Sequence, residues 1–219
     1  MGSGAGLAAD NWVDRLGLGA LHAFARLWHR CRGNGRSPLP PAGPAIVVAN
    51  HPSHADPAFL TSACGRRLHF FHAREYYDVF LLRRLFARFG CIPVARNGRD
   101  VAALREALRR LRDGAVLCIF PEGDLSPVDH EPAAPPKGGA ALLALRSRAP
   151  VYPARIAGGP TARRVLQDWL YPSPGVHVTF GPAVELSAYH HRRIDRKLLA
   201  EVTALFMHRI ADLEPASFT

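Results

Sequence analysis

The segment Ala49-Asn50-His51-Pro52-Ser53-His54-Ala55-Asp56-Pro57 gathers two histidines, an aspartate and two prolines into nine residues, directly after an apolar run that starts at Ala45. An imidazole held at one nitrogen by a carboxylate keeps its other nitrogen available for a proton, the elementary device of general-base catalysis. His51 and Asp56 can form such a pair only off a helix, because residues five apart on a continuous helix point about 140° away from each other. Asp56-Pro57 has the pattern of an N-cap followed by the first helical position, which predicts a helix from Pro57 to near Cys64, stopped by Gly65. His51 and Asp56 then share a proline-stiffened turn. Two plainer readings stand beside this one. His51, His54 and Asp56 could ligate a metal, although no further His/Cys pair completes such a site, or Asp56 could merely cap the helix next to an exposed His51.

The elements that must hold this turn alternate along the chain. Apolar runs of strand length occur at 45–49, 68–72, 91–95, 115–120, 151–156 and 176–180. Between them, Leu81, Leu82, Leu85, Phe86 and Phe89 share a helical face, as do Val101, Leu104, Leu108 and Leu111, with Asp100 placed as an N-cap and Gly114 as a stop. A shorter helix fits 138–147. The alternation predicts an α/β fold: a single domain with a central, mostly parallel sheet flanked by helices. In such sheets ligands bind beyond the carboxyl ends of the strands, where the His51 turn would lie.

Both ends of the sequence add a helix. Ile194, Leu198, Val202, Leu205, Phe206, Ile210 and Leu213 make a C-terminal helix face expected to pack on the core. Trp12, Val13, Leu16, Ala20, Leu21, Phe24, Leu27 and Trp28 line one side of an N-terminal amphipathic helix; Arg15, His22, Arg26 and His29 line the other. Such a helix suits either the headgroup layer of a membrane or docking on the domain. Residues 33–44 read as a linker, which divides the chain into 1–32, 33–44 and a main domain over 45–219. The stretch 126–136 reads as a flap.

Composition narrows the function classes. The 219 residues are 48 % hydrophobic and 21 % charged, an ordinary globular balance, with a net charge of +10. The basic residues are arginines except Lys137 and Lys197. This favours an anionic partner such as lipid headgroups, nucleic acid or a phosphorylated substrate, though a GC-rich coding sequence would also enrich arginine. Arginine is spread along the whole chain without a nucleic-acid-binding motif, so no nucleic-acid partner is expected. No G-x-S-x-G elbow points to a hydrolase. Four cysteines form no C-x-x-C pair, and Cys91 and Cys118, in apolar runs, read as buried reduced thiols. No secretion signal and no transmembrane span are expected.

Four blocks in order carry a resemblance. "NHPSHADP" resembles the N-H-x-x-x-x-D signature of the glycerophospholipid acyltransferase family, which includes lysophosphatidic acid acyltransferases. "GCIPVARNGRD" (Gly90 to Asp100), "FPEGDLSP" (Phe120 to Pro127) and "VYPARIAG" (Val151 to Gly158) are similar to the second, third and fourth family motifs, and "KGGAALLA" from Lys137 to the helix after the third. The resemblance implies that His51 is the general base toward an acceptor hydroxyl and Asp56 its orienting partner. It also implies substrate contacts for Asn50, Arg96, Glu122, Gly123 and Lys137. The donor would be acyl-CoA or acyl carrier protein, used as a co-substrate with no cofactor and no metal. The acceptor would be a lysolipid in an anionic membrane surface, with the protein peripheral on the cytoplasmic face. Oxyanion donors are expected either at the start of the helix after Pro57 or in the turn at Glu122-Gly123.

One departure qualifies the acceptor. Asp124-Leu125 replace the family's usual Thr-Arg, so a phosphomonoester would meet a carboxylate unless Arg96, Arg99 or Lys137 intervenes. The expected reaction is therefore acyl transfer to a lysophospholipid or related glycerolipid hydroxyl. The alternatives are a 1-acylglycerol-3-phosphate acyltransferase proper and a non-catalytic lipid binder of the same fold.

Overall fold

The computed structural model describes residues 12–74, 86, 90–95, 100–125, 135–161 and 164–214. Its strands are β1 (Arg32–Gly33), β2 (Ala45–Ala49), β3 (Leu68–Ala73), β4 (Ile92–Val94), β5 (Val116–Ile119), β6 (Val151–Ala157) and β7 (His177–Phe180). They form one sheet in the order β1-β7-β6-β2-β5-β3-β4. All five residues of β2 are buried, which a strand achieves only at mid-sheet with both faces covered. It lies between β5 and β6, parallel to both. β3 pairs in parallel with β5 and with β4. Only the edge departs from the parallel pattern: β7 runs antiparallel to β6, and β1 follows β7.

The helices are α1 (Trp12–Ala23), α2 (Asp56–Cys64), α3 (Val101–Arg112), α4 (Gly139–Ser147), α5 (Val165–Leu170) and α6 (Arg196–Ala211). Side-chain alternation along β2 divides the core in two. Ala45, Val47 and Ala49 pack with Phe59 and Leu60 of α2, together with Ala25 and Cys31. Ile46 and Val48 pack with Ala107 of α3, Leu143 of α4 and Phe206 of α6. Burying side chains the size of Phe59 and Phe206 stabilises by about 1.5–3 kcal/mol each. All four cysteines are unpaired and buried.

The six expected strands are present to within two residues at each end. Asp100 caps α3, accepting from the N–H of Ala103 at 2.9 Å, and Gly65 ends α2 in the left-handed conformation (φ 72°). The helix expected around 81–89 and most of the 126–136 flap lie outside the described residues.

Two local expectations are corrected. Asp56 is the first residue of α2, not its cap, and no side chain caps that helix. The N-terminal helix does not keep its expected faces. After α1 it widens into a π-turn over Phe24–Trp28, which re-phases the chain and carries His29 inward to bond Ser173 Oγ at 2.8 Å. Its buried contact is Ala25, while Trp12, Leu16, Leu27 and Trp28 stay exposed. Residue 33 belongs to β1 as well as to the expected linker.

Asn50 extends the β2–β6 ladder with its side chain. Its Nδ2 donates to Ile156 O at 2.9 Å and its Oδ1 accepts from Ile156 N at 2.7 Å. Asn50→Ala strips both partners from a strand residue that is almost fully buried. Urea unfolding should show a loss of about 2–4 kcal/mol, two unsatisfied backbone groups' worth.

Candidate active site

β2 and β5 run side by side with Val48 opposite Ile119, so the turns leaving their carboxyl ends meet. The turn after β2 carries His51. The one after β5 carries Phe120 and Glu122. The His51 imidazole lies flat on the Phe120 ring, with centroids 4.0 Å apart and planes 8° from parallel. Its Nδ1–H donates to Asp56 Oδ2 at 2.9 Å, and the same oxygen accepts from the N–H of Ser53 at 2.8 Å. Ser53 ties the turn to itself: its O accepts from Asp56 N and its Oγ from Ala55 N, both at 3.2 Å. This is why Asp56 cannot cap α2; its carboxylate is turned back into the loop. Burial pushes the Asp56 carboxyl up from the ordinary carboxylate range, against the hydrogen bonds from His51 and Ser53 that pull it down. With Nδ1 occupied, Nε2 is the ring nitrogen left to take a proton.

Glu122 closes the other side. Burial raises its carboxyl to about 7, opposed by the His51 charge and by a hydrogen bond from the His51 backbone. Among the described residues its Oε2 has no partner. Below the ordinary carboxyl value, folded and unfolded chains both hold this proton. As the pH rises toward 7 the unfolded carboxyl ionises first, so the folded state loses stability through that window and the deficit persists above it. Glu122→Gln should abolish this slope. Its urea stability relative to the unsubstituted chain should improve by about 1–2 kcal/mol between pH 5 and pH 8.

The remaining expected residues fall as follows. Gly123 turns at φ 74°, and a side chain there would meet Lys137, which folds over it. Lys137 Nζ is 3.7 Å from Asp124 Oδ2, both on the surface. Asn50 has its amide on the Ile156 backbone, one residue before His51. Arg96 lies outside the described residues. The amides proposed as oxyanion donors are largely committed: Ala58 and Phe59 N–H go to Ala55 O and Gly123 N–H to Phe120 O.

Three contributors were not read from the sequence. Phe120 appeared only as part of a motif. His72, on β3, has its pKa lowered to about 4 by burial with His51 nearby, and stacks on Phe86 at 4.4 Å; it stays neutral near physiological pH. Asp168 of α5 engages His54, its Oδ2 accepting from the His54 ring at 2.9 Å and from the His54 backbone N–H at 3.0 Å. Among the described residues no three His, Cys, Asp or Glu side chains cluster as a metal site.

A mostly parallel α/β sheet thus carries, beyond its central strand, an imidazole held at one ring nitrogen by a buried carboxylate. The chain belongs to the Acyltransferase family, whose model matches residues 30–157, more than half of its length. It is 33 % identical over 125 residues to a probable 1-acyl-sn-glycerol-3-phosphate acyltransferase of Mycoplasma pneumoniae, covering 54 % of this chain and 46 % of that protein. A protein of the same name from Mycoplasma genitalium is 32 % identical over 159 residues, covering 68 % and 58 %. The chain thus spans about half the length of these two relatives. The fold resembles the crystal structure of the 1-acyl-sn-glycerophosphate acyltransferase PlsC of Thermotoga maritima, with a TM-score of 0.66 at 21 % identity over 90 % of this chain and 80 % of that one.

Proposed function

We propose that this protein transfers a fatty acyl group from a thioester donor, acyl-CoA or acyl carrier protein, to a hydroxyl of a lysophospholipid. The observation that carries this reading is His51 locked between Asp56 and Phe120 at the carboxyl end of β2. Nε2 of His51 takes the hydroxyl proton as the oxygen attacks the thioester carbonyl. The C–S bond then breaks, and the imidazolium returns the proton to the departing thiolate. Asp56 holds the tautomer that leaves Nε2 unprotonated at the start and balances the charge that forms on the ring. Glu122, whose Oε2 has no partner among the described residues, receives the acceptor's polar groups.

The names of the relatives support a glycerol-phosphate acceptor. Asp124 opposes a phosphomonoester by like-charge repulsion, and Lys137 at 3.7 Å offsets that charge. The net charge of +10 and the exposed Trp12, Leu16, Leu27 and Trp28 of the N-terminal helical segment support a peripheral position on an anionic membrane. Among the described residues no helix is long and apolar enough to cross a bilayer. The test is one assay with labelled acyl-CoA and acyl carrier protein against lysophosphatidic acid, lysophosphatidylcholine and lysophosphatidylglycerol. Acceptor-dependent diacyl product is expected. Thioester hydrolysis that is indifferent to every acceptor would defeat the reading.

A further inference from the structure

Helix α5 is built inside out. Leu166 is 73 % and Leu170 62 % exposed, with Tyr171 just beyond at 60 %, whereas Asp168 is completely buried. A short helix that places its carboxylate inside and its leucines outside loses free energy on both faces unless each has a partner. The inner partner is the catalytic turn: Asp168 grips both the backbone and the ring of His54, three residues beyond His51.

The neighbours identify the outer partner. The Trp28 indole N–H donates to Leu170 O at 3.1 Å, and Phe24 stacks on Trp169 at 5.2 Å. The exposed face of α5 therefore continues onto Trp28 and Leu27, which is 80 % exposed. Next to these, the exposed Arg26, Arg30 and Arg32 line a cleft of about 560 Å³ at the far end of α2 from His51. Apolar and aromatic side chains bordered by guanidinium groups match the acyl boundary and anionic headgroups of a lipid bilayer.

We propose that α5 is a bilayer-contacting element that holds the catalytic turn from its inner face, with Asp168 as a positioning residue acting through His54. The docking half stands by itself; the positioning half rests on the acyltransferase reading. Leu166→Ser/Leu170→Ser should lower partition of the full chain onto phosphatidylcholine–phosphatidylglycerol vesicles by about tenfold or more. Val101→Ser, an exposed apolar position on α3, should leave partition as it was. Unchanged partition of the double variant, an equal loss with Val101→Ser, or a double variant that instead breaks up an oligomer would each overturn the docking half.

Asp168→Asn should lower kcat on vesicle-borne acceptor by about tenfold or more while the donor KM moves less than about twofold. General loosening of the fold would not give that split. An unchanged kcat, or kcat and KM moving together with a fallen melting temperature, overturns the positioning role. Unsubstituted protein that binds vesicles yet transfers no acyl group removes the functional reading and the Asp168 role with it, and leaves the docking face standing.

Discussion

His51→Ala should lower kcat for acyl transfer by roughly 10²–10⁴-fold, the range expected for removing a positioned general base. The side chain is partly exposed in the turn between β2 and α2 and belongs to neither element, so the fold should survive. The loss falls on Asp56, which keeps its hydrogen bond from Ser53 N–H but loses the one from the ring, and on Phe120, which loses its stacked neighbour. Far-UV circular dichroism should be unchanged and the melting temperature should shift by only a few degrees. Donor KM should hold, because in the proposed reaction the ring acts on the acceptor proton. A variant retaining most of its turnover would show that some other group takes that proton.

Asp56→Asn carries the second large effect. Asp56 Oδ2 now accepts from two donors, while its Oδ1 is buried without a partner among the described residues. An amide cannot reproduce this. If its oxygen stays on Ser53 N–H and His51, its NH₂ group is buried where nothing accepts from it. If it flips, the NH₂ faces both Ser53 N–H and His51 Nδ1, and the imidazole must carry its proton on Nε2, the atom needed as base. Either state impairs the base, and kcat should fall by roughly 10²–10³-fold. Leaving one buried donor unsatisfied should cost about 1–3 kcal/mol in urea unfolding. A full stability loss with normal kcat in the folded fraction would reduce Asp56 to a structural anchor.

The parts of this molecule legible in the sequence are those governed by near neighbours. β2 was readable because five apolar residues in a row have few alternatives to a doubly covered strand. The His51–Asp56 contact was readable because Pro52, between the two, and Pro57, directly after Asp56, argue against a continuous helix across them. Asp100 and Gly65 announced helix ends by type and position.

What stayed hidden depends on distant partners. Asp168 meets His54 across 114 positions, and no local rule ties the two. The available signal was weaker: an aspartate within Val165-Leu166-Gln167-Asp168-Trp169-Leu170 interrupts an apolar stretch, the mark of a carboxylate turned inward. A regular helical period through Phe24–Trp28 would put His29 on the polar face. One wide turn breaks that period. Asn50 sits inside a motif that suggested substrate, yet its amide extends a strand pairing that becomes visible only once β6 lies beside β2.

A ring pressed against Phe120 and tethered at Nδ1 cannot swivel, so its second lone pair is confined to one plane. In the proposed reaction an alcohol must arrive edge-on along that plane. Reactivity is then decided by reach: the acceptor's free glycerol hydroxyl is esterified only where its oxygen can be threaded to that line, whatever its intrinsic nucleophilicity.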